Sequence, residues 1–382
     1  MVPIHSFTMR TSEKHILVLS SWYPSRKNPF LGNFVQRQAQ LAAQSLPVTV
    51  VHVVPDQAIN SVEIETNKTA NLTEHIGYYP DHKWLIIRLL RERALFKKLL
   101  LQIDKPTLIH AHVCLPKGYL FLRAKNFFKR PLIITEHGSY FQPTKQSAWS
   151  LSMRLLMRRL IKHTDQFVAV SDVLRDDMRR IITSKEVEVI PNPVNTQLFV
   201  PRNESNASIH FLHVSTLDDR IKNITGILEA FDQFSSKGHS TAKLTIVSDE
   251  PYEHWQRLCT NKYPNSAIGF VGPLTEEEIV PYFQSCSAFI MNSRYETFSI
   301  VLAEAFSCGK PVISTPVGIA KNLPSNFGLQ IEIDNVASLV SALDKFVSIK
   351  DQFDPMAIRA YALQLDSDCI GKQLNELYDR FS

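Results

Sequence analysis

The stretch that decides the fold is residues 288–318, AFIMNSRYETFSIVLAEAFSCGKPVISTPVG. Its first four residues are apolar, which predicts a buried strand at Ala288–Met291. A loop follows, and apolar residues at helical spacing predict a helix near 298–307. The segment CGKPVIST then turns into a further strand, predicted at Pro311–Ser314. Strand, helix and strand in this order form the repeating unit of a parallel α/β sheet.

The alternation of strands and helices continues on both sides of this stretch. Further short apolar runs predict strands at 16–20, 49–54, 108–112, 132–136, 166–170, 187–190, 209–214, 244–247, 268–271 and 329–332. Residues 56–76 are polar, and we interpret them as a loop or insertion. A cluster of prolines between 191 and 201 indicates a domain boundary. We therefore expect one domain at 1–195, a second at 196–355, and a helical region at 356–382 that packs back on the first.

Length and composition define the class of protein. A chain of 382 residues is long enough for about two domains, and 44% apolar and 21% charged residues are ordinary for a globular protein. No run of 18 apolar residues predicts a transmembrane helix, and the first 15 residues lack the apolar core of a signal peptide. The five cysteines form no CxxC pair, which argues against disulfides and zinc and favours a cytoplasmic protein.

The net charge of +5 is divided unevenly along the chain. Residues 1–200 carry +12, whereas residues 201–382 carry −7. A basic half favours an anionic partner such as nucleic acid, a membrane surface or an anionic substrate. No nucleic-acid-binding motif accompanies the charge, so we do not expect nucleic acid as a partner. None of the twelve glycines lies in a GxGxxG or GxxxxGK[ST] pattern, which argues against a dinucleotide-dependent dehydrogenase and a P-loop protein.

Two glutamates in the deciding stretch form the first candidate site. Glu296 lies just before the predicted helix, and Glu304 lies about two turns into it. Between them, we expect the free N–H groups of Thr297, Phe298 and Ser299 to face the cleft, because the start of a helix binds phosphate. Carboxylates on both sides of a pyrophosphate can accept hydrogen bonds from sugar hydroxyls. The pattern therefore predicts a nucleoside diphosphate sugar as the ligand.

The same stretch resembles the C-terminal domain of the family 4-type, group 1 glycosyltransferases. That family carries two glutamates separated by seven residues, then a Gly-x-Pro-Val-Ile strand, as Glu296, Glu304 and 309–313 do here. Further segments that resemble the family, in the expected order, are WYPS (22–25), PFLGNF (29–34), IHAH (109–112), TEHG (135–138), VSD (170–172) and PNPV (191–194). The resemblance implies an α/β fold of the GT-B type, with two Rossmann-like αβα domains that face a central cleft.

The resemblance also implies phosphate-binding cations in HVSTLDDRIKNITG (213–226). Lys222 matches the family's lysine, whereas Ser215-Thr216 replaces its Gly-Arg pair, so Thr216 is kept as a donor-binding candidate. Arg220 is either the missing cation or part of a solvated turn. A charge-assisted hydrogen bond contributes roughly 1.5–3 kcal/mol, so loss of Lys222 should lower the rate about ten- to a hundredfold. The backbone near Val271 is a candidate for nucleobase contacts.

The first domain supplies two more candidates. His137 follows a predicted buried strand and therefore opens into the cleft, where it can hydrogen-bond the donor sugar or phosphate. The alternative is a structural histidine. Gly32 would let the backbone approach the donor phosphates, and the alternative is an ordinary glycine at the start of a helix. His110 and His112 alternate across a strand, and we interpret them mainly as structural.

Together these features predict a hexosyltransferase of polysaccharide biosynthesis with Glu296, His137 and Lys222 as catalytic residues. The resemblance implies retention of the anomeric configuration, with Glu296 orienting donor hydroxyls rather than forming a covalent intermediate. No Asp-x-Asp motif flanks the predicted donor site, so we expect no metal and no cofactor. The alternatives are a nucleotide-sugar epimerase of the same fold and a non-catalytic sugar-nucleotide-binding module.

Two basic amphipathic segments concentrate the positive charge of the first half. They are KWLIIRLLRERALFKKLL (83–100) and LSMRLLMRRLIKH (151–163), in which Arg154, Arg158 and Lys162 form one stripe. With Trp84 or Trp149 nearby, such helices suit an anionic membrane surface. We therefore expect a saccharide or lipid-linked acceptor and a cytoplasmic protein that is peripheral on the inner face of the membrane. The alternative is a pair of ordinary helices with a solvated basic face.

Overall fold

The computed structural model describes residues 14–202 and 208–381, which contain two sheets. The first residues, which we expect to lack a signal peptide, lie outside the described range. The strands of the first sheet are β1 (Ile16–Ser20), β2 (Val48–Asp56), β3 (Glu63–Lys68), β4 (Leu72–Pro80), β5 (Leu108–His112), β6 (Leu132–Glu136), β7 (Gln166–Ala169) and β8 (Val187–Val189). Its helices are α1 (Asn33–Ala43), α2 (Leu85–Leu100), α3 (Gly118–Phe128), α4 (Pro143–Gln146), α5 (Leu151–His163) and α6 (Asp172–Arg179).

The remaining elements belong to the second half of the chain. Its strands are β9 (His210–Val214), β10 (Lys243–Val247), β11 (Ala267–Val271), β12 (Ala288–Met291), β13 (Val312–Ser314) and β14 (Gly328–Gln330). Its helices are α7 (Asp219–Lys222), α8 (Ile224–Ser236), α9 (Glu253–Lys262), α10 (Glu276–Ser285), α11 (Ile300–Ser307), α12 (Val336–Ile349), α13 (Pro355–Leu363) and α14 (Ser367–Asp379). The predicted α/β class is confirmed.

The first sheet has the strand order β3-β4-β2-β1-β5-β6-β7-β8, and only β3 is antiparallel to its neighbour. Helices α2, α3 and α5 contribute to the core on one face, and α1 and α14 to the core on the other. The loop predicted at 56–76 is wrong, because β3 and the start of β4 occupy it. Strand β3 lies at the edge of the sheet with mostly exposed side chains, so its polar sequence carries no apolar strand signal.

The second sheet has the order β11-β10-β9-β12-β13-β14 and is parallel throughout. Strands β9 and β12 are neighbours although β10 and β11 separate them along the chain. The strand order therefore reverses between them. In an open parallel sheet, a ligand binds beyond the carboxyl ends of the strands at such a point. The loops after β9 and β12 carry Thr216, Lys222 and Glu296, which are among the site residues predicted from the sequence.

The C-terminal helices connect the two domains. Asp354 caps α13, and Pro355 is its first residue. Arg359 on α13 donates to the carbonyl oxygens of Thr196 and Phe199, both at 2.8 Å. The chain then returns to the first domain, where α14 packs on α1. The two segments that connect the domains contact each other here, since the Val194 N–H donates to the Leu365 carbonyl at 2.9 Å.

Candidate functional site

A cavity of about 590 Å³ lies between the domains, beyond the carboxyl ends of both sheets. It is lined from the second domain by the loops that follow β9, β10 and β12, and from the first domain by α1 and the residue after β6. The residues of its lining that the sequence analysis proposed for the site are Glu296, His137, Lys222, Glu304, Thr297, Phe298, Ser299 and Thr216.

One end of the cavity contains an ion pair between Lys222 and Glu296. The Lys222 Nζ lies 2.5 Å from the Glu296 Oε1, and the Ser293 hydroxyl donates to the same oxygen at 2.7 Å. Both charged side chains are largely buried. Lys222 is the last residue of the single-turn helix α7, whose N-terminus is capped by the Asp218 side chain. The pair places a cation and a carboxylate on adjacent loops at the point where the strand order reverses.

The loop that carries Glu296 ends in a helix that begins later than the sequence predicts. Helix α11 begins at Ile300, because Ser299 takes a left-handed backbone conformation with φ of 77°. The helix start predicted near residue 298 is therefore two residues too early. Ser299 is the N-cap residue, and Ile300 and Val301, which also line the cavity, add the first N–H groups of the helix itself. Left-handed backbone in a non-glycine residue is uncommon and concentrates at functional sites.

Glu304 occupies the other end of the cavity, on α11. Its side chain is only 6% exposed, and its Oε1 lies 3.2 Å from the Arg37 Nη1 of the first domain. The second guanidinium nitrogen of Arg37 lies 3.1 Å from Glu276. Burial raises the pKa of the Glu304 carboxyl, whereas the Arg37 charge lowers it. Sequence analysis did not identify Arg37, because nothing in its local pattern distinguishes it from other helical arginines.

His137 faces the cavity from the end of β6. It is buried against the Phe34 ring, with ring centroids 4.5 Å apart, and its Nε2 lies 3.1 Å from the His112 Nδ1. Burial lowers the pKa of His137 to about 3, so the imidazole is neutral at physiological pH. His110 is also fully buried, and its ring bonds to Tyr378 and Thr135. The buried His110 and His112 rings therefore support His137 from within the first domain, in keeping with the structural interpretation of those two histidines.

Three candidate residues are not part of the cavity lining that the described residues form: Gly32, Arg220 and Val271. Gly32 has a φ of 77°, and a Cβ there would lie 2.5 Å from the Trp22 backbone, so this glycine permits a close approach within its own loop. The Arg220 side chain is 89% exposed and pairs with Asp218, as a residue of a solvated turn. The Val271 carbonyl accepts the Ser248 N–H at 3.0 Å, and the lining resumes at Leu274.

Two residues outside the predicted set fix the loops of the site. The Arg294 N–H donates to the Ile221 carbonyl at 2.7 Å, and its guanidinium donates to Asn223 at 3.0 Å, which joins the loop after β12 to α7. Gly318 has a φ of 52°, and a Cβ there would lie 2.5 Å from the Phe298 carbonyl oxygen. The final glycine of the sequence GKPVISTPVG was the available signal for this close contact.

Neither a metal cluster nor a membrane span is found in the described part of the chain. Within residues 14–202 and 208–381, no group of three or more His, Cys, Asp and Glu side chains is arranged to hold a metal ion. In the same ranges, no helix has the length and apolar composition needed to cross a bilayer.

Comparison with known proteins identifies the family. The sequence model described as "Glycosyl transferases group 1" matches residues 208–348, and the model described as "Glycosyltransferase Family 4" matches residues 31–198. The chain belongs to the family 4-type, group 1 glycosyltransferases. The two matches cover both domains, in agreement with the resemblance inferred from Glu296, Glu304 and the strand that follows them.

Curated relatives match part of this glycosyltransferase chain. An uncharacterized glycosyltransferase of Methanocaldococcus jannaschii is 27% identical over 55% of this chain and 56% of its own length. A probable sucrose-phosphate synthase of Thermosipho melanesiensis is 26% identical over 46% of this chain and 42% of its own length. The alignments thus span about half of the curated relatives.

Solved structures show that the fold is of the GT-B type. Sucrose-phosphate synthase from Thermosynechococcus elongatus superimposes with a TM-score of 0.78 at 20% identity, over 96% of this chain and 99% of that one. Anabaena HepE in complex with UDP and glucose gives a TM-score of 0.72 at 16% identity, over 96% of this chain and 99% of that one. At such low identity the similarity concerns the fold alone.

Proposed function

We propose that this glycosyltransferase moves a hexose-type sugar from a nucleoside diphosphate sugar to a saccharide or lipid-linked acceptor in polysaccharide biosynthesis, with retention of anomeric configuration. The observation that carries the proposal is the cavity in which Lys222, Glu296, Glu304 and the start of α11 converge. A cation and a helix N-terminus suit a diphosphate, and carboxylates on either side suit the sugar hydroxyls that flank it.

The leaving diphosphate is stabilised by Lys222 and by the N–H groups of Ile300 and Val301. During transfer, the bond between the anomeric carbon and the phosphate oxygen breaks and the acceptor oxygen bonds to that carbon. The acceptor proton passes to the departing phosphate. Negative charge therefore develops on the diphosphate, where preorganised donors lower the barrier most. These protein groups stabilise the charge without a metal ion, so we propose that the enzyme needs none.

Glu296 and His137 act on the sugar. Glu296 is fixed by Lys222 and Ser293 and accepts hydrogen bonds from donor hydroxyls. His137 is neutral, so it forms a hydrogen bond to the sugar or phosphate without adding charge. Closure of the two domains around the donor excludes water, which limits hydrolysis.

The nucleotide is proposed to be a uridine diphosphate. The support is that two structural neighbours bind such a ligand: Anabaena HepE is in complex with UDP and glucose, and the trehalose-6-phosphate protein of Escherichia coli is bound with UDP-2-fluoro glucose. The cavity adds contacts for a base, because Leu274 and Thr275 line it next to the Ser248-Asp249 turn.

The test is a calorimetric screen of UDP-, GDP- and ADP-sugars, followed by product analysis with saccharide and lipid-linked acceptors. We expect one nucleotide sugar to bind, and its sugar to appear on an acceptor with the donor's anomeric configuration. An isomerised nucleotide sugar formed without acceptor would indicate an epimerase. Binding without any product would favour a non-catalytic module, and no binding at all would overturn the proposal.

We also propose that the first domain binds the inner, cytoplasmic face of an anionic membrane. At the start of α2, Trp84 is 61% exposed together with its apolar neighbours Leu85 and Ile86. At the start of α5, Leu151 is 74% exposed. Helices that follow parallel strands begin near the carboxyl edge of the sheet, which is the edge that the cavity occupies. Apolar side chains exposed at this edge would bring a lipid-linked acceptor to the site.

Charge complementarity supports the same membrane surface. Arg154, Arg158 and Lys162 are all exposed on α5, in agreement with the stripe predicted from their spacing. Each basic residue near an anionic surface contributes roughly 1 kcal/mol to binding. Trp149 is buried, so its predicted part in this surface is wrong, because its ring packs edge-on against Phe141.

Flotation with phosphatidylcholine vesicles, with and without phosphatidylglycerol, tests the membrane proposal at low salt. We expect binding to the anionic vesicles alone, and loss of about thirtyfold or more in affinity for Arg154→Glu/Arg158→Glu, because two residues that contribute roughly 1 kcal/mol each are reversed in charge. The control Lys345→Glu/Lys350→Glu makes the same change of charge on exposed residues of the second domain and should leave binding unaltered. Equal effects of the two double variants, or no binding by the wild type, would reject this surface.

A further inference from the structure

One ion pair of the cavity joins the two domains. Arg37 lies on α1 of the first domain, and its guanidinium contacts Glu304 at 3.2 Å and Glu276 at 3.1 Å, both in the second domain. The Lys222–Glu296 pair, in contrast, lies within the second domain. Of these two ion pairs, the one formed by Arg37 therefore depends on how close the two domains are to each other.

Glu304 requires a neighbouring cation to serve as an acceptor. Its carboxylate is almost completely buried, and a buried carboxylate without a partner takes up a proton. The titratable groups that face it are Arg37 from α1, Glu276 from α10 and the neutral thiol of Cys308, just after the end of its own helix. Arg37 lowers the pKa of Glu304 and Glu276 raises it. Arg37 contacts Oε1, so Oε2 remains the oxygen for a ligand hydroxyl.

Glu296 acts on the transferred sugar, so Glu304, on the other side of the diphosphate, is assigned to the ribose hydroxyls of the nucleotide. We propose that Arg37 is a positioning residue that completes this ribose-binding carboxylate from the opposite domain, so that nucleotide affinity depends on domain closure. The inference rests on the proposed function, in which Glu304 accepts hydrogen bonds from sugar hydroxyls of the donor. With Arg37 in place, Glu304 is ionised and oriented only when the domains are closed. The nucleotide end of the cavity is thus assembled by closure itself.

The experiment is calorimetric titration of UDP against the full chain between about pH 5 and about pH 8. Arg37→Met should weaken UDP binding about tenfold, the equivalent of one charge-assisted hydrogen bond. It should also move the acid limb of the affinity profile to higher pH, because the pKa of Glu304 rises when the cation is removed. Arg37→Lys, which keeps the positive charge, should retain most of the wild-type affinity for UDP and most of the wild-type pH profile. In the steady state, the loss should appear in KM for the donor and leave kcat nearly unchanged.

Further variants separate this role from a merely structural one. Glu276→Gln removes a like charge from Glu304 and should move the acid limb to lower pH, opposite to Arg37→Met. In a Glu304→Gln background, Arg37→Met should cause little further loss of UDP affinity. Arg257→Met, at an exposed position of α9, is the matched control and should change nothing. Unaltered or tighter UDP binding by Arg37→Met, with an unmoved acid limb, would overturn the proposal.

Failure of the proposed function gives a different result. If the wild type binds none of UDP, GDP and ADP, the donor assignment fails, and the contact between domains is then measured without ligand by small-angle scattering. Arg37→Met should increase the radius of gyration, whereas Arg257→Met should not. An unchanged radius for Arg37→Met would overturn the coupling to closure.

Discussion

The two ends of the cavity differ in where their ion pairs originate. Lys222 and Glu296 belong to adjacent loops of one domain, which supplies both partners of their 2.5 Å contact. Arg37 and Glu304 belong to different domains. The residues on either side of Glu296 also contact the first domain, through the bonds of Tyr295 to Asp177 and of Ser171 to Thr297. On the proposed function, the ion pair at the end of the reacting sugar is therefore complete within one domain, whereas the ion pair at the nucleotide end needs both. Substitutions at the first end should therefore lower kcat, and substitutions at the second should raise KM.

The largest expected effect is at Glu296. Glu296→Ala should abolish detectable transfer, because it removes the carboxylate that orients the donor sugar and leaves Lys222 without its buried partner. UDP binding by calorimetry should remain within a few-fold of the wild type. Turnover near that of the wild type would refute the assignment of the site.

Lys222 is expected to have the next largest effect. Lys222→Ala should lower kcat about ten- to a hundredfold, because the leaving diphosphate loses one charge-assisted hydrogen bond. Arg220→Ala is the matched control, since that side chain is exposed and lies outside the cavity lining. Equal losses for the two variants would show that the cation of this loop was wrongly assigned.

Glu304 provides the contrast at the other end. Glu304→Gln should raise the donor KM about tenfold and change kcat little, because ribose contacts are equally strong in the ground and transition states. Steady-state kinetics with the donor identified by the screen gives both constants. A fall in kcat at constant KM would show that Glu304 acts in the transition state as Glu296 does. The proposed division of the cavity into a sugar end and a nucleotide end would then be wrong.

The last prediction concerns the stability of the fold rather than catalysis, and it involves the buried histidines of the first domain. Burial lowers the pKa of His110 and His137 to about 3, whereas in the unfolded chain they take up protons near pH 6.5. The unfolded state therefore binds more protons below pH 6.5, and the free energy of unfolding falls as pH drops toward the folded pKa. Each histidine contributes about 1.4 kcal/mol per pH unit in this interval. Urea unfolding at several pH values should show that the free energy of unfolding changes less steeply with pH for His137→Gln than for the wild type. An identical pH dependence in the two proteins would contradict the low pKa assigned to His137.

Sequence patterns predicted the parts of the molecule that depend on local information. The strand Ala288–Met291 has the bounds that its apolar run predicts. Glu296 and Glu304 were identified because their spacing and the glycine-proline turn after them are both local features. Lys222 was identified from the resemblance of residues 213–226 to the family.

What the sequence could not predict depends on contacts between distant segments. Arg37 is 267 residues from Glu304, and their pairing exists only because the two domains face each other. The left-handed backbone of Ser299, which delays the start of α11, is a non-glycine exception that no propensity indicates. Strand β3 was missed because an edge strand needs no apolar face.

The two segments that connect the domains restrict how the domains can move relative to each other. The Val194–Leu365 hydrogen bond holds the two connecting segments side by side, and Arg359 fastens one of them to α13. A rotation about this pair of segments would keep their hydrogen bond intact, whereas sliding of one domain along the other would break it. The helices after residue 355 therefore restrict which movements between the domains the connecting segments permit.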